Sequence, residues 1–229
     1  MMMIKENPKD LVPTFFNNTS NSYDDIVHWT TFGKDSLWKH KILEQLSDQK
    51  TVLDLACGTG ILTKQIAKKL PQAKITGVDI TKNYLEKAQK KLTSYPNISF
   101  VNQDAEKLNL EKKFDCITTS YLPKYCTSKI LIKNCIEHLN VDGKIILHDF
   151  TYPKNFFVRK MWNLYFKLLY FLGFFIPNWK NVFVDLPSLI RATNWVKEYE
   201  ETMRDYGMTV HRQDFTWGTS SIIVGTKTA

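Results

Sequence analysis

The chain is poor in the features that mark several large protein classes. None of its four cysteines, Cys57, Cys116, Cys126 and Cys135, belongs to a C-x-x-C pair. Two of them fall in strand or strand-end positions, so they read as reduced, mostly buried side chains of a cytoplasmic protein and not as a disulfide frame. Cys135 and His138 are helical neighbours, but two ligands do not make a zinc site, and no metal is expected. The first residues, Met1-Met2-Met3-Ile4-Lys5-Glu6, lack the apolar core of an export signal. Without such a signal the Asn17-Asn18-Thr19-Ser20 sequons carry no weight. The longest apolar stretch, Phe156 to Trp179, is interrupted by Arg159, Lys160, Asn163 and Lys167 and ended by Gly173 and Pro177, which leaves it too short to cross a bilayer. No patch interleaves arginine with aromatic residues, so nucleic acid is a disfavoured partner. No internal repeat or low-complexity tract is visible.

Acidic residues are also outnumbered, 23 against 31 lysines and arginines, for a net charge of +8. That excess permits contact with anionic surfaces such as nucleic acid or lipid headgroups. Yet Lys64, Lys68, Lys69, Lys82, Lys87, Lys90 and Lys91 recur at helical spacings among apolar residues, as solvated helix faces do. With 229 residues and 43% hydrophobic content, the chain can bury the core of one α/β domain, or of a domain plus a lid.

What is present centres on Thr51-Val52-Leu53-Asp54-Leu55-Ala56-Cys57-Gly58-Thr59-Gly60. A β-branched, apolar run ends in a carboxylate and a glycine turn and is followed by the helical pattern Ile61 to Leu70. It reads as a buried parallel strand entering a ligand-binding loop. Gly58 and Gly60 allow positive φ and leave a ligand free to lie against the backbone at the helix start. A dinucleotide fingerprint needs a third glycine where Thr63 stands, so that class is not met. Two further strand patterns close on acids, Ala73 to Asp79 and Ile98 to Asp104. Three carboxylates would then lie along one sheet rim, the edge at which open α/β sheets bind ligands. Taken alone, the loop is also compatible with an ordinary strand–turn–helix, and Asp104 with a turn cap.

The pattern of Asp54, the Gly58-Thr59-Gly60 turn and Asp79 resembles the motif of class I S-adenosylmethionine-dependent methyltransferases. Asp54 suits the cationic amino-acid part of that cofactor, and Asp79 suits both ribose hydroxyls as a bidentate acceptor. The resemblance implies a cofactor shell of Asp54, Ala56, Cys57, Gly58, Thr59, Gly60, Asp79, Ile80, Asp104, Ala105 and Ser120, with Asp104 and Ala105 at the adenine. Phe15-Phe16, Tyr23-Asp24, Phe32-Gly33 and Trp38 recur at spacings similar to those of the UbiE/MenG family, the C-methyltransferases of ubiquinone and menaquinone biosynthesis. In that family the segment folds over the pocket; the alternative is an arm that its aromatics merely pin to the core. Asp149-Phe150-Thr151-Tyr152-Pro153 and Tyr165-Phe166-Lys167 also match. Where the family has F-G-L-R-N, this chain has Tyr121-Leu122-Pro123-Lys124-Tyr125, so lysine replaces arginine and the asparagine is missing.

The expected architecture is an α/β, Rossmann-like, doubly wound class I methyltransferase fold. It has a seven-stranded, mostly parallel sheet and a carboxyl-terminal antiparallel hairpin around Trp217-Gly218. Residues 1–229 form one domain, with an amino-terminal arm (1–33) and an inserted helical lid (154–206). The expected reaction moves a methyl group from S-adenosylmethionine to a ring carbon of a polyprenylated benzoquinol or naphthoquinol and releases S-adenosylhomocysteine. Base candidates are Asp149, His148, Tyr23 and Lys124, in that order; His148 can equally be a core residue. The 156–179 helix is read as a lid able to meet an isoprenoid tail or a membrane surface, or as an all-buried core helix. Localisation is then cytoplasmic or peripheral at a membrane, and the oligomeric state is open, a homodimer included. Alternatives are O- or N-methylation of another lipid or metabolite, and RNA binding or modification.

Overall fold

In the computed structural model, residues 8–227 are described. The reading of Met1 to Glu6 lies outside them, as does the first part of the expected arm. Three helices open the described chain: α1 (Leu11–Phe16), α2 (Tyr23–Thr30) and α3 (Lys34–Glu44). Strands and helices then alternate through β1 (Thr51–Leu55), α4 (Ile61–Lys69), β2 (Lys74–Asp79), α5 (Lys82–Lys91), β3 (Ile98–Asn102), β4 (Phe114–Ser120), α6 (Ser128–Glu137) and β5 (Leu139–Phe150). Three helices follow, α7 (Phe156–Leu172), α8 (Lys180–Ala192) and α9 (Trp195–Asp205), before the hairpin of β6 (Met208–Phe215) and β7 (Ser220–Lys227).

The strands form one sheet in the order β3-β2-β1-β4-β5-β7-β6. The first five run parallel, and β7 lies antiparallel between β5 and β6. Strand order reverses between β1 and β4, which opens a crevice at their carboxyl ends. The inner strands are largely apolar because both faces are covered, with polar side chains such as Asp54, Thr118 and Thr119 towards their carboxyl ends. Leu53, Leu55, Ile117, Ile145 and Leu147 pack under α6 and α9, against Leu131, Cys135, Trp195 and Tyr199. Their neighbours Val52, Ile75, Cys116 and Ile146 point the other way, onto Ile42 of α3 and Ile66 of α4. A third cluster joins Phe15 of α1, Tyr125, Trp162 and Phe166 of α7, and Phe183 of α8. It roofs the crevice.

Several boundaries differ from the sequence reading. β3 stops at Asn102, so Asp104 lies beyond the strand and caps the short turn after it. Asp54 is the penultimate residue of β1. Thr81 precedes α5, yet its side chain makes no capping bond; its backbone N–H donates instead to Asp79 Oδ1 at 2.7 Å. β5 begins at Leu139, with Asp142 at φ +59° and the register against β4 shifting between Phe114 and Cys116. Helix α7 is not all-buried: Trp162, Phe166 and Leu169 are covered, while Phe157, Met161 and Phe171 face solvent. Among the described residues no helix is long and apolar enough to cross a membrane.

Both loop glycines have positive φ, +56° at Gly58 and +79° at Gly60. At Gly60 a Cβ would also stand 2.7 Å from Leu92 Cδ1 and 3.3 Å from Ala88 Cβ, because α4 and α5 touch there. At Gly58 the nearest atom, Tyr84 Cδ1, is at an ordinary 3.5 Å. Gly58→Ala should therefore cost the left-handed backbone strain alone, about 1–2 kcal/mol, and Gly60→Ala more, about 2–4 kcal/mol. Urea unfolding of the two variants measures this; equal losses would show that the α4–α5 contact relaxes freely.

Candidate active site

The crevice holds two small cavities that meet a large one. The first, of about 90 Å³, is lined by Ala56, Gly58, Asp79, Ile80, Asp104, Ala105 and Ser120 together with Lys9, Phe16, Tyr23 and Tyr84. The second, of about 30 Å³, is lined by Asp54, Ala56, Cys57, Gly58, Thr59 and Ser120, and by Lys39. Every residue of the cofactor shell implied by resemblance thus faces one of these two spaces, except Gly60, which packs on α5. The structure brings them together because β1, β2 and β4 end side by side at the point where strand order reverses.

Asp79 organises the loop. Its Oδ2 accepts the Gly58 N–H at 2.8 Å and its Oδ1 the Thr81 N–H at 2.7 Å. Each carboxylate oxygen can accept a second bond, so the bidentate capacity expected for ribose hydroxyls remains. Burial raises the Asp79 pKa, and the Thr81 and Gly58 N–H groups oppose the shift. Asp54 is 1% exposed. It accepts from Thr63 Oγ1 at 2.6 Å and Thr118 Oγ1 at 3.2 Å. Burial pushes its pKa up to about 6 against those bonds. Asp104 accepts the Glu106 N–H at 2.9 Å and pairs with Lys9, so it is both a cap and part of the cavity wall. The Cys57 thiol is pushed well above its ordinary pKa by burial and stays protonated.

Several site residues carry no signal in the sequence. Asp35 and Lys39, one helical turn apart on α3, look like a surface ion pair. They are in fact 5% and 4% exposed. They pair with each other, and Tyr121 Oη donates to Asp35 Oδ1 at 2.8 Å. Lys39 and Asp54 both face the smaller cavity, one charge of each sign, as an amino-acid zwitterion requires. Asp24 of α2 accepts from Thr59 Oγ1 at 2.5 Å and pairs with Lys91, tying the arm to the glycine loop. The arm is therefore part of the wall, through Lys9, Phe16 and Tyr23, and also pinned to the core. Tyr121 sits at φ +73°. Such a backbone is costly for a non-glycine residue, and the Asp35 bond and ring contacts hold it there.

The third cavity, about 600 Å³, is walled by aromatic and aliphatic side chains of α2, α7 and α8, with Tyr121, Lys124, Tyr125 and Phe150 at its buried end. It shares Phe16, Tyr23, Tyr121 and Tyr125 with the first cavity. The four base candidates differ in what they face. Asp149 is 0% exposed and lines no cavity among those described. Its Oδ1 accepts Lys124 Nζ at 2.8 Å and the Phe150 N–H at 2.7 Å, and its Oδ2 the Lys124 N–H at 3.0 Å. His148 is equally buried, with Nδ1 bonded to Ser120 Oγ at 2.8 Å and Nε2 to Ser220 Oγ at 2.9 Å. Burial, with Lys39 and Lys124 nearby, holds its pKa well below the usual range, so it stays neutral.

Tyr23 and Lys124 are the two candidates that face the large cavity. Burial raises the Tyr23 hydroxyl pKa well above the ordinary value, making it a donor at neutral pH. Lys124 Nζ donates to Asp149 and to Tyr121 O at 2.7 Å, with the Tyr125 ring centroid 4.5 Å away. Burial lowers its pKa and Asp149 opposes the shift.

Since Asp54 titrates at about 6 in the free protein, a cationic ligand beside it lowers that pKa and favours the carboxylate. Affinity for S-adenosylmethionine, the cofactor implied by resemblance, should be flat above pH 6. Below it, affinity should fall by up to about tenfold per pH unit as Asp54 takes up a proton. Calorimetric titration from pH 5 to 8 checks this, and Asp54→Asn should weaken binding and abolish the pH dependence. An unchanged pH profile in Asp54→Asn would place the cation elsewhere.

Comparison with known proteins agrees with this geometry. A family model described as the ubiE/COQ5 methyltransferase family matches residues 1–227. The demethylmenaquinone methyltransferase of Lactococcus lactis subsp. lactis (strain IL1403) is 31% identical over 176 residues, which is 72% of this chain and 69% of the relative. That of Staphylococcus aureus (strain JH9) is 28% identical over 169 residues, 70% of this chain and 69% of the relative. Among solved structures, the plantazolicin methyltransferase BpumL, in complex with a monoazolic desmethylPZN analog and SAH, superimposes with a TM-score of 0.66 at 15% identity, covering 97% of this chain and 95% of that one. An O-methyltransferase family protein from Burkholderia thailandensis gives a TM-score of 0.64 at 16% identity, covering 94% of this chain and 62% of that one. These structural likenesses concern the fold, which is that of class I methyltransferases. The chain is an S-adenosylmethionine-dependent methyltransferase, and it belongs to the ubiE/COQ5 methyltransferase family.

Proposed function

We propose that the chain methylates a ring carbon of a quinol that carries an isoprenoid tail, a benzoquinol or naphthoquinol. One observation carries this reading: an apolar cavity of about 600 Å³ shares Phe16, Tyr23, Tyr121 and Tyr125 with the cofactor cavity and ends on a buried cation, Lys124. The names of the demethylmenaquinone relatives agree with it. The cofactor would be held by Asp79 at the ribose, Asp104 and Ala105 at the adenine, and Asp54 and Lys39 at the two charges of the amino-acid end. When bound, S-adenosylmethionine supplies a methyl group on a cationic sulfur, open to attack by an electron-rich carbon.

This chain's residues make the carbon electron-rich. A quinol hydroxyl beside the Lys124 ammonium ionises more readily, because an adjacent opposite charge favours the anion. The hydroxyl proton passes to solvent, the aryl oxide spreads its charge to the neighbouring ring carbon, and the hydrogen on that carbon leaves as a proton to solvent once the methyl is in place, restoring the aromatic ring. Asp149 acts through Lys124, aiming the ammonium from behind, and Tyr23 donates from the arm. His148 positions Ser120. The aromatic walls exclude water, which strengthens every charge interaction at the ring. The tail runs outward between α2, α7 and α8, towards Leu164 and Leu168.

Two sets of variants test this. Lys124→Met should lower kcat by about 10²–10³, the usual worth of one fixed oxyanion partner, whereas Lys124→Arg keeps the charge and should retain most activity. Because an unpaired buried Asp149 is itself destabilising, thermal unfolding of Lys124→Met is measured alongside, with Lys124→Met/Asp149→Leu as a folded control. Leu164→Ala/Leu168→Ala should raise KM for a long-tailed quinol by about 5–50-fold, through lost methylene contacts. The same pair should leave a tail-less quinol unaffected. Mass spectrometry of the product locates the methyl group; a methyl on oxygen would support the O-methyltransferase reading instead.

A further inference from the structure

Helix α7 carries two apolar stripes on opposite sides. Trp162, Phe166 and Leu169 face the third core cluster. Phe157, Met161, Leu164, Leu168 and Phe171 recur every three or four residues along the other side, and Phe175 continues the line beyond the helix end. These six are between 54% and 83% exposed. None of the six belongs to a core cluster, and the ring contacts of Phe157 and Phe171 are with exposed neighbours on the same helix, Phe156 and Tyr170. Single exposed apolar residues are ordinary, but a contiguous stripe marks an interaction surface.

Three facts of the structure say what covers it. The stripe crosses the mouth of the large cavity, since Met161, Leu164 and Leu168 also line that space. Two more exposed aromatics stand at the same mouth on separate segments, Phe32 at 80% exposed and Trp217 at 83%. The charges flanking the stripe have one sign. From Phe150 to Val184 there is no Asp or Glu, while Lys154, Arg159, Lys160, Lys167 and Lys180 all fall within the stretch. Two of these cations lie over exposed rings, Lys160 Nζ 4.5 Å from the Phe156 centroid and Lys180 Nζ 5.2 Å from Phe174. Apolar rings with ammonium groups beside them suit a bilayer interface, where the rings enter the acyl boundary and the ammonium groups reach headgroup phosphates.

We infer that this face docks on a bilayer containing anionic lipid, with Phe157, Phe171 and Phe175 as the inserted residues and the cavity mouth turned to the membrane. A second copy of the chain is a poorer occupant. A two-fold contact would bring Lys154, Lys160, Lys167 and Lys180 of this stretch towards their own copies, and like charges repel. Docking does not depend on the quinol reading; the delivery of a tailed substrate straight from the bilayer into the cavity rests on it.

The experiment is vesicle co-sedimentation of the full chain without substrate. Vesicles of phosphatidylcholine with about one third phosphatidylglycerol should pellet it at low salt, vesicles of phosphatidylcholine alone much less, and added salt should release it. Phe157→Ser/Phe171→Ser/Phe175→Ser should weaken vesicle binding at least about tenfold and leave turnover of a tail-less, water-soluble quinol unchanged, since none of the three lines the large cavity. Lys160→Gln/Lys167→Gln should weaken it by about fivefold per charge removed. Wild-type protein that stays in the supernatant with anionic vesicles overturns the inference. So does a dimer, seen by light scattering, that the triple substitution converts to monomer with no vesicle binding in either form. A chain that binds vesicles but methylates no quinol would overturn the substrate and leave the docking surface standing.

Discussion

Two opposite charges with almost no access to water join the loop after β4 to the end of β5. Lys124 and Asp149 are 4% and 0% exposed. Such a pair is a poor source of net stability, because the loss of hydration roughly cancels the attraction. What it does is fix position. Nζ bonds to Asp149 and to the Tyr121 carbonyl, which ties the β4 loop to the end of β5 beside Tyr121, a residue at positive φ that lines both the first cavity and the large one. Tyr121 in turn bonds Asp35, so α3, the last helix before the sheet, is held to the same point. The walls of the first cavity and of the large one, and α3, thus meet near one buried ion pair.

Around that pair the apolar surface is divided by layer. The two clusters flanking the sheet are mainly aliphatic and continuous with the strands, as both-face burial requires. The third is mainly aromatic and comes from elements outside the alternating β–α units. Aromatic rings cover much area with few rotatable bonds. They can therefore wall a cavity of this size without collapsing into it. The same richness leaves α7 with more apolar surface than one packing face can bury. A helix with two apolar sides needs a second environment, and the positive charges around this one specify its sign.

The arm shows how loosely sequence position predicts spatial role. Asp24, Lys9 and Lys39 are ordinary surface residue types in a chain with 31 cations. Asp24 reaches Thr59 of the glycine loop, Lys9 reaches Asp104, and Lys39 faces Asp54 across the smaller cavity. The first two contacts join residues 35 and 95 positions apart in the chain.

Periodicity and the glycine turn were enough to specify the alternating strands and helices, the acids Asp54 and Asp79 at one rim, and the closing hairpin, because each depends on local backbone preference and a repeating apolar pattern. Asp54, Ala56, Cys57, Gly58 and Thr59 could be expected at one cavity for the same reason: a strand that ends in a carboxylate and a glycine turn brings its own neighbours to the same crevice. Tertiary structure alone decided the rest. A carboxylate at a strand end looks available in sequence whether or not a lysine saturates it, so Asp149 and His148 ranked above Lys124 and Tyr23 until burial and bonding showed which side chains face the cavity. An i, i+4 ion pair reads as solvated unless the helix carrying it is covered, which hid Asp35 and Lys39. An aromatic helix shows no preferred side when both sides are apolar. Only its packing against α1 and α8 shows which stripe is core and which is left to meet something else.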